Sequence, residues 1–326
     1  MATKERYTVV STMKNEGPYI LEWVAHHKAL GFDEIVVCTN DCEDTTVEIL
    51  KHLEGLGLVH HHATRIRKGG IHRSALRQAA RMDVVKGSDW IFVCDVDEFL
   101  TVKEGDGSAR ALVALSGEGA DVIAVPWRVF GPNGISLFRD RLVTEQFTRA
   151  EALGENPQAG KFVKSLFRRP DQFKRFGLHL PVAREEGPAP KIVWPGGALH
   201  AENGKPTGTP PPFHIAQINH YALRSMESFL IKRARGRANH MHHVLGMEYW
   251  ERFDFGGEED LSIRRYDPLR DQWMQRFRED EKLWALHRKS VRWHRWKARE
   301  LRKDPAANAL RLEILARFAA GHSEAG

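Results

Sequence analysis

Along the first hundred residues, short apolar runs alternate with longer segments whose apolar positions recur every three or four residues. Tyr7–Met13 (YTVVSTM) reads as a strand, and the segment after it places Ile20, Leu21, Trp23, Val24 and Leu30 at helical spacing before Gly31 stops it. The cycle repeats. EIVVC (34–38) predicts a second buried strand, followed by the polar loop TNDCEDTT and a helix through Val47, Ile49, Leu50 and Leu53. LVHHHA (58–63) predicts a third strand, and residues 74–85 a third helix closed by Gly87. DWIFVCDVDEFL (89–100) is then a fourth strand that ends in acid. Strands alternating with helices of about a dozen residues predict an α/β fold: a mostly parallel sheet flanked by helices, with right-handed crossovers. Ligands of such sheets bind beyond the carboxyl ends of the strands. The loops KNEG (14–17), NDCEDTT (40–46) and DVDE (95–98) all fall at that edge, so they are expected to converge on one crevice.

The first loop argues against a dinucleotide in that crevice. A GxGxxG turn should follow the first strand, whereas Lys14, Asn15, Glu16, Gly17 and Pro18 stand there. The acidic stretch is more informative. Strand alternation puts Asp95 and Asp97 on one face and turns Glu98 away, unless the strand bends. Two carboxylates about 5 Å apart repel by roughly 3 kcal/mol at an effective dielectric near 20. A divalent cation would reverse that cost, and Mg2+ or Mn2+ suits a site with one or two protein carboxylates and substrate phosphates. The alternative is a solvated acidic turn without a ligand. An EF-hand loop counted from Asp95 fails, because Leu100 and Asp106 stand where glycine and glutamate are required. A haloacid-dehalogenase-like phosphatase carries Thr or Val two residues after its second Asp; Phe99 stands there, and three βα units precede the motif.

Taken together, STMKNEGPYILEWVAHHKALGFDEIVVCTNDCEDTT and WIFVCDVDEFL resemble the glycosyltransferases of the GT-A fold, in the bacterial family-2-like group related to family 92. The likeness resumes in VPWRVFG (125–131), KSLFR (164–168), GLHLP (177–181) and INHYALRSMESFLIKRARG (218–236). It implies a GT-A, Rossmann-like fold and transfer of a sugar from a nucleotide-sugar donor, UDP-linked by expectation, to a hydroxyl of a glycan or lipid-linked acceptor. It implies that Asp95 and Asp97 bind the metal, Mn2+ or Mg2+, that His220 reaches the metal or the diphosphate, and that Lys14, Asn15, Glu16, Asn40 and Asp41 border the nucleotide. If a helix starts near Tyr221, then Arg224, Lys232 and Arg235 form a basic lid over phosphate; the family usually shows lysine where Arg224 stands. Arg73, at the start of the third helix, is a further anion ligand or else a solvated arginine. For the base that takes the acceptor's proton the candidates are His179 and Glu227, each also readable as structural or acceptor-binding. A non-catalytic sugar-nucleotide or glycan binder on the same fold is the alternative of a different class.

Composition bounds these readings. The chain has 326 residues, 42% apolar and 28% charged, which is globular composition. No apolar run reaches the roughly 20 residues of a membrane span and MATKERYTVV lacks a signal-peptide core, so the default location is the cytoplasm. Cys38, Cys42 and Cys94 suggest small buried hydrophobes, not a disulfide framework or zinc site. The division expected is a glycosyltransferase domain over 1–264, with a nucleotide-sugar half (1–125) and an acceptor half (126–264), then a basic helical extension over 265–326. Pro- and Gly-rich segments after Arg139 read as long loops around an acceptor cleft. Trp127, Phe130 and Trp194 either stack on sugar rings or fill the core, and packing is the favoured reading. His60–His62 and His240, His242 and His243 read as surface histidines and a strand end. Much of the net charge of +6 sits in the last quarter, among Trp273, Trp284, Trp293 and Trp296. Those helices either pack with a solvated basic face or lie on anionic membrane, at the inner membrane face; no motif points to nucleic acid.

Overall fold

The computed structural model describes residues 4–67, 69–154, 160–202, 205–236 and 245–323. His240, His242 and His243 lie outside the described residues. The first four strands are β1 (Tyr7–Met13), β2 (Glu34–Thr39), β3 (His60–Ala63) and β4 (Trp90–Val93), parallel to one another in the order β3-β2-β1-β4. Helices α1 (Gly17–Ala29), α2 (Thr46–Gly55) and α3 (Ile71–Ala79) connect them. The expected α/β class, with a mostly parallel sheet flanked by helices, is the class observed. Beyond β4 the sheet continues through the antiparallel strand Val163–Arg168 and then the long strand Val122–Val129.

Two local expectations need correction. The helix expected over residues 74–85 is two, because Met82 is extended (φ −69°, ψ 138°) and separates α3 from a short helix, Asp83–Lys86. The strand expected over residues 89–100 is also two. After β4 the chain leaves the ladder, turns at Val96 and Asp97, and resumes as β5 (Glu98–Val102), which pairs antiparallel with the strand Ala216–His220. The reason is local: the Glu98 carboxylate accepts the Asp95 N–H at 2.9 Å, and Glu98 N–H donates to the Asp95 carbonyl at 3.1 Å, so a turn replaces the ladder. Asp95 and Asp97 therefore sit on a turn, not on one face of a strand. Glu98 is not turned away from them.

The histidines of β3 pair with neighbouring elements: His60 meets Glu34 and His61 meets Thr39 on β2, and His62 meets Gln78 on α3, at 2.8–3.0 Å. Cys38 and Cys94 are buried and Cys42 half-buried, and burial pushes the Cys38 thiol up to about 12 and that of Cys42 up to about 11. Inert packing is what such thiols provide. Phe130 and Trp194 are buried; Trp127 is half-buried.

The C-terminal helices Asp267–Glu279, Glu281–Leu301 and Pro305–Ser323 pack on the sheet's helical layer. Met274, Phe277, Leu283 and Val291 share one apolar core with Val9, Trp23 and Leu50. A buried carboxylate fastens this layer. Asp44, before α2, accepts from Gly17 N–H at 3.0 Å, from the Ser290 hydroxyl at 2.9 Å and from Thr46 N–H at 2.9 Å, with His294 Nε2 at 3.4 Å. A Cβ on Gly17 would stand 2.0 Å from Ser290 Oγ, so glycine is what allows the helix this close. None of the helices among the described residues is long and apolar enough to cross a membrane.

Burial alone would raise the Asp44 carboxyl, but His294 and Thr46 hold it down to about 2. A depressed carboxylate stabilises the fold above its unfolded value of about 3.9 and loses that contribution as pH falls towards 2. Asp44→Ala should cost about 3 kcal/mol at neutral pH by leaving buried donors unpaired. Denaturant titrations from pH 7 to 2 should show the gap between wild type and variant closing below about pH 4.

Candidate active site

The loops after β1, β2 and β4 open at the same sheet edge and, with the strands Val163–Arg168 and Ala216–His220, enclose a cleft of about 590 Å³. That is the size of a small-molecule site. Lys14 and Glu16 reach it from the first loop, Asn40 from the second, Asp95 to Glu98 from the third, and Ile71 and His72 from the first turn of α3.

The acidic turn is held on its backbone from several sides. The Asp95 carbonyl accepts from the Trp23 indole at 3.2 Å, the Val96 carbonyl from Arg224 Nη2 at 3.2 Å, and the Asp97 carbonyl from Tyr221 N–H at 2.8 Å. With these groups satisfied, the side chains are what remains to meet a ligand. Two lysines meet them first. Lys164, 1% exposed, places Nζ 2.7 Å from Asp95 Oδ2 and 3.1 Å from Glu98 Oε2. Lys232 places Nζ 2.7 Å from Asp97 Oδ2 and donates to the Ala222 carbonyl at 2.8 Å.

These pairings separate the three acids. Burial opposes ionisation of all three, yet Lys164 keeps Asp95 below the usual carboxylate range, and Lys232 and Arg224 hold Asp97 well below it. Glu98 is fully buried beside both aspartates, and burial with their charge pushes it up to about 8 although Lys164 opposes the shift. At neutral pH the turn thus carries two charges and one proton. Burial holds His220 down to about 3, so it is a neutral imidazole. Its ring packs against Trp127 with centroids 4.1 Å apart, and its Nδ1 is buried without a hydrogen-bond partner among the described residues.

A second charged cluster lies under the first loop. Glu16 is buried and binds Arg224 Nη1 through Oε2 at 3.0 Å and Arg235 Nη1 through Oε1. Arg235 also donates to the Lys14 carbonyl at 2.6 Å, and the Arg224 guanidinium lies 3.6 Å from the centre of the Tyr19 ring. Asn15 (φ 53°) accepts Glu43 N–H through Oδ1 at 2.7 Å, which ties the first loop to the second.

Of the residues singled out in the sequence, Lys14, Glu16, Asn40, Asp95, Asp97, His179, His220, Lys232 and Arg235 line the cleft. Asn15 and Arg224 stand behind it, as buried supports. The helix expected near Tyr221 begins at Met226, capped by Ser225, so Arg224 precedes it in a left-handed conformation (φ 56°) and points under the acidic turn. Asp41 and Arg73 are exposed and outside the cleft lining; α3 presents His72 instead. Glu227 is withdrawn as a base, because Phe138 N–H at 2.8 Å and Arg302 at 2.6 Å occupy its two oxygens away from the cleft. Sequence reasoning passed over Lys164, His72, Phe162, Arg252 and Phe253 as site residues. Lys164 left one signal, a lysine in the short strand VKSLFR, where it is buried between Val163 and Leu166.

Five cationic side chains, Lys14, Lys164, Lys232, Arg235 and Arg252, face four carboxyl groups in the cleft, and Glu98 keeps its proton. The balance favours an anion. Among the described residues no three His, Cys, Asp or Glu side chains are grouped closely enough to hold a metal, so His220 does not complete a cluster with the two aspartates. The aspartates alone do fit a hard divalent cation. Both are ionised, and each engages its lysine through Oδ2, with no hydrogen bond from the described residues on Oδ1.

The sequence profile of glycosyltransferase family 92 matches residues 9–221. A glycosyltransferase family 92 protein of Ricinus communis is 24% identical over 146 residues, which is 43% of this chain and 25% of the relative. The chain thus spans about a quarter of that relative's length. Among solved structures, TarS of S. aureus in complex with UDP is similar at a TM-score of 0.34 and 16% identity, over 58% of this chain and 60% of that one. Glucosyl-3-phosphoglycerate synthase of Mycobacterium tuberculosis, solved with Mn2+, UDP and glucosyl-3-phosphoglycerate, gives 0.28 and 16%, over 52% and 58%. Scores of this size do not bear on donor, acceptor or metal.

Lys164→Met should leave the half-buried Asp95 carboxylate without its partner and cost about 1–3 kcal/mol. Adding Glu98→Gln should change stability little further, because Glu98 is already protonated; a double-mutant cycle by denaturant unfolding reads the coupling.

Proposed function

Since the chain belongs to glycosyltransferase family 92, we propose that this cleft moves a sugar from a UDP-linked donor to a hydroxyl of a glycan or lipid-linked acceptor. The observation that carries the reading is the acidic turn: two ionised carboxylates at a sheet edge, each with one oxygen outside the hydrogen bonds of the described residues, ringed by cations.

Asp95 and Asp97 would hold Mn2+ or Mg2+ through those oxygens. Such an ion stabilises the charge that grows on the nucleoside diphosphate as the glycosidic bond breaks. The chain's own cations serve the same charge. Lys232 and Arg235 extend from one helix end over the turn, and Lys14 approaches from the opposite loop, so the diphosphate is bracketed from two sides. Glu16 aims Arg235, and Asn40, which lines the cleft, would meet the nucleoside. Arg224 and Asn15 contribute by fixing the loops.

The other half of the cleft is aromatic. Trp127 stacks on Phe162 at 5.3 Å and packs at a tilt on His220 at 4.1 Å, with His179 edge-on at 5.4 Å. Flat apolar faces beside a charged diphosphate site suit a sugar ring. His179 would take the acceptor's proton. Its Nδ1 lies 2.9 Å from the Val163 carbonyl, which can only accept, so Nδ1 carries the hydrogen and Nε2 carries the lone pair. Burial lowers its pKa, which keeps the ring neutral and basic in form.

A screen of UDP, GDP and CMP sugars with Mn2+ should release UDP from a UDP-sugar. Asp97→Asn should lower kcat/KM by about 10²–10³, the scale of one lost transition-state contact. His179→Ala should lower kcat while leaving donor affinity near wild type. Thermal stabilisation by donor without release of nucleotide from any sugar would make the protein a binder instead.

A further inference from the structure

The helix Glu281–Leu301 buries one stripe, including Leu283, Ser290, Val291 and His294, against α1, α2 and the helix Met226–Ala234. The opposite stripe carries Lys282, Arg288, Lys289, Arg292, Arg295 and Arg299, all exposed, with no acidic residue between them. The helix has two acids, Glu281 and Glu300, and both are at its ends. Among the described residues none of the six cations forms a salt bridge, although ordinary solvated helices set opposite charges three or four apart. Arg288, Arg292, Arg295 and Arg299 follow one another at that spacing with the same sign.

Apolar surface adjoins this charge. Trp296 is 51% exposed and Trp293 lies beside it, ring centroids 6.2 Å apart, with Lys297 Nζ within 5.9 Å of both rings. Lys297 also reaches Glu43 at 3.9 Å, in the loop that carries Asn40 to the cleft. The tryptophan patch therefore lies beside the loop that borders the cleft.

We propose that this face is a docking surface for an anionic phospholipid bilayer. Charge complementarity selects the headgroups, because unpaired cations on a preformed helix gain most against a continuous negative surface. The exposed indole selects a bilayer over a charged polymer, since Trp partitions to the boundary between headgroups and acyl chains. Bound this way, the protein would bring the cleft's rim towards the lipid surface, where a lipid-linked acceptor would be presented. The docking claim rests on the helix alone and holds whether or not the cleft transfers sugar.

The test is co-sedimentation of the full chain with phosphatidylcholine vesicles and with vesicles containing about 30% phosphatidylglycerol. The anionic vesicles should bind it at least about tenfold more tightly at 0.1 M salt, and the preference should fall steeply at 0.5 M. Arg288→Glu/Arg292→Glu/Arg295→Glu should lose at least about tenfold in binding, the corresponding three lysine substitutions should retain it, and Trp296→Ser should weaken what survives high salt. Unchanged melting temperatures guard against misfolding, and the lysine variant supplies a second check. Equal binding to both vesicle types, no loss on charge reversal, or tighter capture of an RNA oligomer or acidic polysaccharide than of the anionic vesicles would overturn the proposal.

Discussion

The geometry of the cleft depends on two ammonium groups, one buried and one half-buried, that neutralise a four-residue acidic turn. Without Lys164 and Lys232, three carboxyl groups in sequence at the end of a buried strand would repel one another in a poorly solvated place, and the turn would splay or take up protons. With them, Asp95 and Asp97 stay ionised and Glu98 is the group that yields. The backbone hydrogen bonds from Trp23, Arg224 and Tyr221 then fix the turn before any ligand arrives. Preorganisation of this kind is what allows charge in a cleft to act on a substrate instead of rearranging.

The same logic sorts the remaining charges. Glu16 lines the cleft, yet its two oxygens are committed to Arg224 and Arg235, so it works as an anchor for guanidinium groups. One of these supports the acidic turn from behind, and the other faces the space where a diphosphate would lie. The helix Glu281–Leu301 supports the first loop through Asp44 and Gly17 and turns its basic face outward. A single helix thus buttresses the site on one side and presents unpaired charge on the other.

The βα units were legible because each is written locally: an apolar run, a polar loop and a periodic segment lie within thirty residues of one another. The convergence of three loops on one edge followed from the parallel order alone. What stayed hidden were contacts across long separations. Lys164 lies 69 positions from Asp95 and Lys232 lies 135 from Asp97, and no local pattern encodes either pair. Direction was hidden too. Arg224 had the right charge for a phosphate ligand, but its left-handed backbone sends it beneath the turn, and Arg73 points to solvent while its neighbour His72 enters the cleft. Glu227 had the right chemistry for a base, but its oxygens serve Phe138 and Arg302. The break at Val96 was missed because Asp95 and Glu98 substitute a turn for a ladder, which alternation cannot foresee.

The central claim is that the two lysines and the backbone clamps leave one oxygen of each aspartate poised for a divalent ion with a nucleoside diphosphate. Anomalous diffraction from a crystal grown with Mn2+ and UDP measures this directly. The account predicts a single manganese peak in contact with Asp95 and Asp97 and with the diphosphate, and Lys164 still on Asp95. A diphosphate bound by Lys14, Lys232 and Arg235 with no manganese at the acidic turn, or manganese bound elsewhere in the chain, would contradict it.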